Sequence, residues 1–181
     1  MRPKLRGAAT LAAAIAFAVC GSGVAQGVRP GWTTLHPPRL PLTLQLPDRW
    51  QIGTTPRAPG VVFVAGQPRS GAALSLSIAP FASSWIPFTA QLYDAAKEIY
   101  GLQDPHAVIR FRSQTVAAGR AFEVIVLYTV GAGSQAHREY VKAYNFLEDG
   151  RQYDFEYACS AADEAVYAPV FTVSARSIRF T

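Results

Sequence analysis

The chain has 181 residues, half of them hydrophobic, and a formal net charge of +5. Three basic residues stand at the extreme N-terminus. Beyond residue 25 the chain holds 14 basic against 12 acidic residues, a net of +2. That balance, with no Lys/Arg run and no basic helix, excludes nucleic acid as the expected partner.

Arg2, Lys4 and Arg6 form a basic start, and Ala8 to Val19 is an apolar run of 12 residues. Gly23-Val24-Ala25 supplies small residues for a cleavage before Gln26, so residues 1–25 read as a signal peptide. The apolar run is shorter than the roughly 20 residues a bilayer span needs. Lipidation of Cys20, with Gly21-Ser22-Gly23 as a tether, is the alternative. Val19 argues against it, because a small residue normally precedes a lipidated Cys. The expected location is extracytoplasmic, periplasmic or secreted, with membrane attachment only if Cys20 is lipidated. The remaining 156 residues suffice for one domain with its own core. Cys159 is then the one cysteine left, so an intramolecular disulfide is not expected. It shares a strand face with three aromatics and reads as a small buried apolar residue.

Residues 26–41 carry Pro30, Pro37, Pro38 and Pro41 without periodicity and read as a Pro/Gly-rich linker or extended arm. The folded domain is expected over 42–181. Leu42-Thr-Leu-Gln-Leu46 alternates as a strand and stops at Pro47-Asp48; Trp50-Gln-Ile52 resumes it. Arg57 to Gly60 is a turn. Val61-Val-Phe-Val64 reads as a buried strand. After a turn at Gln67–Gly71, Leu74, Leu76 and Ile78 alternate inward. The period then changes: Phe88, Leu92, Ala96 and Ile99 predict an amphipathic helix from about Pro87 to Tyr100, with Gly101 as its stop. Strands return at Val108–Arg112, Phe122–Val130 and Arg138–Leu147, the second apolar enough to be a central strand. Asp149-Gly150 is a tight hairpin turn. Tyr153 to Ser160 alternates with Tyr153, Phe155, Tyr157 and Cys159 on one face, an aromatic edge strand. The last four strands can form an antiparallel meander. From Asp163 the apolar residues fall at helical spacing: Val166, Val170 and Val173 on one line, Tyr167, Phe171 and Ile178 on its neighbour. Strands in blocks with two helices argue for an α+β fold, a central antiparallel β-sheet with helices packed on it.

Leu44-Gln-Leu-Pro-Asp-Arg-Trp50 near the start, and Tyr153-Asp-Phe-Glu-Tyr157, Tyr167-Ala-Pro-Val-Phe171 and Ser177-Ile-Arg-Phe180 near the end, resemble the PsbP-like superfamily. That group includes the photosystem II subunit PsbP and bacterial exported proteins such as DcrB. The resemblance runs from about Leu42 to Phe180 and implies an α/β/α sandwich. It implies no shared activity, since the fold hosts unrelated binding roles. No functional residue is carried over from it.

No constellation in the residues points to catalysis. His36, His106 and His137 sit in three separate loops without metal-ligand spacing. Ser75, Ser77, Ser83 and Ser84 lack a nucleophile elbow. Gly131-Ala-Gly133 has no phosphate-loop Lys and reads as a hairpin loop. Asp154 and Glu156 share a face as a carboxylate pair. Arg110, Arg112, Arg138 and Lys142 on other strands are expected to neutralise them at the surface. Trp50 belongs to the core; Trp32 and Trp85 are left as partner-contact candidates, with covering the core edge as their plainer role. No catalytic, metal or cofactor residue is assigned. The expected function is an exported, non-enzymatic binding or accessory module of the cell envelope, whose partner is an unidentified protein. The alternative is a carrier holding a small apolar ligand or lipid in a cavity between helix and sheet.

Overall fold

The computed structural model describes residues 31–54, 59–81 and 84–181. Residues 1–25, with the expected cleavage point and Cys20, and the first half of the Arg57–Gly60 turn lie outside them. The strands are β1 (Trp32–Leu35), β2 (Leu42–Pro47), β3 (Gln51–Ile52), β4 (Val61–Gly66) and β5 (Ala73–Pro80). Helix α1 (Trp85–Gln103) follows, then β6 (Val108–Val116), β7 (Gly119–Val130), β8 (His137–Glu148) and β9 (Arg151–Ser160). Helix α2 (Glu164–Ser177) and β10 (Arg179–Phe180) close the chain.

Seven strands form one antiparallel sheet in the order β3-β4-β5-β9-β8-β7-β6. The expected meander β6 to β9 is its right half. Asp149 and Gly150, both at positive φ (48° and 70°), make the tight turn between β8 and β9. β1-β2-β10 form a second, three-stranded sheet. The two helices pack on opposite faces of the large sheet, one with the cluster around Phe88 and Val126, the other with the cluster around Phe155 and Phe171. The α+β reading therefore holds.

Four local expectations change. β9 is no edge strand: it is the middle of seven, paired to β5 along Ala73↔Ala158 to Pro80↔Arg151 and to β8 on its other side. The long connection through α1 carries the chain from β5 across to β6 at the far edge, so β9 returns into the gap. β7, read as central, is next to that edge. The Pro-rich segment is more than a linker, because Trp32–Leu35 pairs with β2 from Trp32↔Pro47 to Leu35↔Leu44. α1 runs through Gly101 and stops at Asp104, whose carboxylate accepts the backbone N–H groups of His106 and Thr129, both at 2.8 Å. Those donors hold its carboxyl below the usual range.

On α2 the ends of the valine line face outward, with Val166 51% and Val173 48% exposed, while Val170 packs partly buried against the core. Tyr167, Phe171, Ser174 and Ala175 face the sheet instead. Phe171 stacks on Tyr157 at 5.2 Å and takes the edge of Trp50 at 6.3 Å. Ile178 and Phe180 lie beyond the helix, and Phe180 pairs with Leu42 in β10.

Candidate functional site

The inner positions of β2, Leu42, Leu44 and Leu46, fill the core, so alternation turns Thr43 and Gln45 outward. Thr34 on β1 stands opposite Gln45. The last turn of α2 is tied to this strand: Ser177 Oγ accepts the Gln45 N–H at 2.7 Å and donates to Ser174 O at 2.6 Å. The chain then enters β10, where Arg179 pairs with Thr43. These elements enclose an open groove of about 420 Å³ lined by Thr34, Thr43, Gln45, Val173, Arg176, Ser177 and Arg179. Arg179 Nη1 donates to the carbonyls of Arg176 (3.0 Å) and Ile178 (2.8 Å), which holds its guanidinium at the helix end. Among the described residues, no carboxylate lines the groove. Its walls offer two guanidinium groups, three hydroxyls and an amide. That set can receive carboxylates and backbone carbonyls, but it contains no nucleophile–base pair.

Trp32 is half-buried and shares Thr34's face of β1 by strand alternation, two residues before the groove wall at Thr34, although it does not itself line the groove. Trp85 begins α1 on the other side of the large sheet. It tilts against Phe88 at 5.5 Å, with the Arg120 guanidinium 5.3 Å from its ring. The two tryptophans therefore do not form one patch. Trp85 covers the edge of the core, its plainer expected role.

Asp154 and Glu156 do not meet the cations assigned to them. Register pairs Asp154 with Asn145 and Glu156 with Ala143, whereas Lys142 pairs with Tyr157. The carboxylates thus face α1 and the lysine faces α2. Asp154 is only 4% exposed. Burial pushes its carboxyl well above the usual range, helped by the neighbouring Glu156. Burial also pushes Glu156 up to about 7, against the hydrogen bond its Oε2 accepts from Tyr100 at 3.5 Å.

A residue outside the expected set occupies the opposite face. Glu123 is fully buried on β7, with Arg112 Nη2 at 2.8 Å and Lys142 Nζ at 3.2 Å. Lys142 also donates to Thr172 of α2 at 2.7 Å. The signal was present as a lone carboxylate inside the apolar run Phe122-Glu-Val-Ile-Val126.

Cys159 is buried at 3% exposure, and desolvation pushes its thiol up to about 12. The histidines stay apart: His137 touches Glu139 at 3.3 Å, and His36 is exposed on its loop. Among the described residues, no group of three or more His, Cys, Asp or Glu could hold a metal ion, and no helix is long and apolar enough to cross a membrane. Gly131, at φ 81°, opens the β7–β8 connection.

Compared by sequence, the chain matches no protein-family model and no curated protein. Compared by structure, it is similar to the cyanobacterial PsbP of Synechocystis sp. PCC 6803, with a TM-score of 0.56 at 13% identity over 89% of this chain and 98% of that one. It is also similar to the Ran-binding protein Mog1p of Saccharomyces cerevisiae, with a TM-score of 0.59 at 10% identity over 83% and 96%. A third similar structure is LpqN of Mycobacterium tuberculosis, described as involved in cell envelope biogenesis, with a TM-score of 0.55 at 11% identity over 83% and 91%. At such identities the likeness concerns the backbone alone. On that ground, and on the strand order and opposed helices above, the chain has the PsbP-like fold.

Proposed function

We propose that this protein is an exported, non-enzymatic binding module of the cell envelope, and that the groove between β1, β2 and the end of α2 is its contact surface for a protein partner. Trp32 anchors the partner beside that groove, and Trp85 is a secondary contact on the other side of the sheet. The supporting observation is where space lies. Between α1 and the sheet, beside Leu92, Ala96, Tyr100 and Val141, the void is about 10 Å³. That is room for about one water. A ligand-sized pocket is on the order of 300–1,000 Å³ and encloses its ligand. The carrier alternative therefore lacks its cavity there, while the groove is open and suited to an extended polar segment. The likeness to LpqN supports the envelope, and the likeness to a Ran-binding protein supports a protein partner. Export rests on the signal-peptide reading of residues 1–25.

Two measurements test this. The full chain, expressed in a bacterium and fractionated, is expected outside the cytoplasm with Gln26 as its N-terminus. A chain retained in the cytoplasm with residues 1–25 intact overturns export. A photo-reactive amino acid at Trp32 is expected to yield a discrete protein adduct in native cells, lost when Arg176 and Arg179 are both changed to Glu. An adduct insensitive to that double change places the contact elsewhere. Turnover by the purified protein that one point substitution abolishes would overturn the non-enzymatic reading.

A further inference from the structure

Two buried oxygen atoms beneath α1 have no hydrogen-bond partner: Asp154 Oδ1 and Asn145 Oδ1. Their residues stand directly opposite each other on β9 and β8, on the same sheet face. Directly opposed side chains have Cβ atoms about 4.5–5.5 Å apart. Both residues are nearly inaccessible, Asp154 at 4% and Asn145 at 2%. The Asn145 amide is not free to turn over, because its Nδ2 donates to Phe122 O at 3.4 Å. Turning it would set Oδ1 against that carbonyl. With Asp154 ionised, its carboxylate oxygen would face the Asn145 amide oxygen acceptor to acceptor, at a cost of about 1–3 kcal/mol for each orphaned atom and more where the group is charged. One proton on Asp154 removes both defects.

We propose that Asp154 is held as a neutral carboxylic acid donating to Asn145 Oδ1, and that with Glu156 it forms a proton-sensitive clasp between the sheet and α1. The surroundings supply no counter-charge. From β5, Ser75 and Ser77 stand opposite Glu156 and Asp154. From β8 come Asn145, Ala143 and, further along, Glu139. α1 contributes Tyr100, whose hydroxyl donates to Glu156, and β7 contributes Tyr128, whose hydroxyl donates to Glu139 at 3.0 Å. Among the described residues, neither Asp154 nor Glu156 has a cation within 4.0 Å. Tyr100 is the link to the helix: it is 4% exposed in the last turns of α1 and packs on the Tyr128 ring at 4.9 Å. Two negative charges on β9 would repel each other under that helix, and the one on Asp154 would lack hydration.

The direction of the pH dependence follows. Glu156 titrates at about 7 in the fold against an ordinary 4.5. Between those values the folded state keeps a proton that the unfolded chain has lost. The stability tied to that proton is complete below about 4.5 and is lost as pH rises through about 7. Asp154 shifts in the same direction, so its proton adds to the stability lost as pH rises.

The test is a carboxyl-carbon NMR titration of the full chain with amide exchange of α1, from about pH 5 to about pH 8. Asp154 is expected at its protonated shift throughout the lower half of that range. Exchange of the α1 amides around Tyr100 is expected to accelerate toward the upper end beyond the intrinsic chemical increase. Asp154→Asn places a permanent donor beside Asn145 Oδ1, and with Glu156→Gln it should abolish that extra acceleration and hold the melting temperature level at higher pH. An ionised Asp154 at about pH 6, or α1 exchange indifferent to pH, overturns the proposal. So does a rise in melting temperature with added calcium or magnesium that Asp154→Asn removes, since the pair would then serve a cation. If the substituted chains fail to fold, the titration of the unsubstituted protein decides alone.

Discussion

Glu123 and Asp154 are both buried carboxylates of the large sheet, on β7 and β9, and the fold treats them differently. Glu123 is paired: Lys142 at 3.2 Å is itself buried to 7% exposure, while Arg112 reaches in from solvent with a 59% exposed side chain. A buried pair adds little by itself, but breaking it strands a charge. Lys142→Ala should therefore cost roughly 3–5 kcal/mol in urea unfolding. The double change Glu123→Leu with Lys142→Met should recover most of that loss. If the single change costs less than about 1 kcal/mol, Arg112 alone neutralises Glu123 and the lysine is dispensable. Alternation in the sequence showed that Asp154 and Glu156 share a face, but not which cations share it. That depends on the parity between two strands. Pairing Lys142 with Tyr157, not with Glu156, sends the lysine to the far side.

At the scale of elements, α2 shows what helical spacing can and cannot tell. Both apolar lines, Val166–Val170–Val173 and Tyr167–Phe171, fit the period, and the aromatic line is the one that the aromatic row of β9 calls for and receives. Size decided it. Four aromatic rings converge on Phe171: Tyr157 at 5.2 Å, Tyr167 at 6.0 Å, Trp50 at 6.3 Å and Tyr140 at 6.4 Å. Phe171→Ala should cost about 3–5 kcal/mol, as truncation of a buried Phe does. Val173→Ala, exposed and in the groove wall, should stay within about 0.5 kcal/mol. Equal midpoints for the two variants in denaturant would mean that α2 is not docked through Phe171. α1 teaches a similar lesson at its end. Gly101 looked like a stop, but the helix ends where Asp104 captures two backbone N–H groups, one of them on β7 25 residues away. A tertiary hydrogen bond outweighed a local propensity of about 1 kcal/mol.

For the whole molecule, the strand order makes β9 the axis. It pairs with β8 along its full length and with β5 from Arg151 to Ala158, and both its faces are covered: Tyr153, Phe155 and Tyr157 under α2, Asp154 on the α1 side. β1 and β3 are the short outer strands, four and two residues long. Amide exchange should accordingly be slowest in β8, β9 and the paired part of β5, and fastest in β1 and β3. Faster exchange in β9 than in β6 would contradict its central place. The residues by themselves determined the α+β class, the meander from β6 to β9, the tight turn at Asp149-Gly150 and the burial of Cys159. Each of these is set by period, turn chemistry or apolarity within about ten neighbouring residues. The tertiary structure decided the rest: β9 at the centre, β1 in a second sheet, Trp32 beside a groove that α2 and β10 complete, and the carboxylates beneath α1. Those features rest on segments far apart in the chain, from Tyr100 with Glu156, 56 residues apart, to Gln45 with Ser177, 132 residues apart. Contacts of that reach leave no periodic trace in a single chain, because they follow from how whole faces pack rather than from the order of neighbouring side chains.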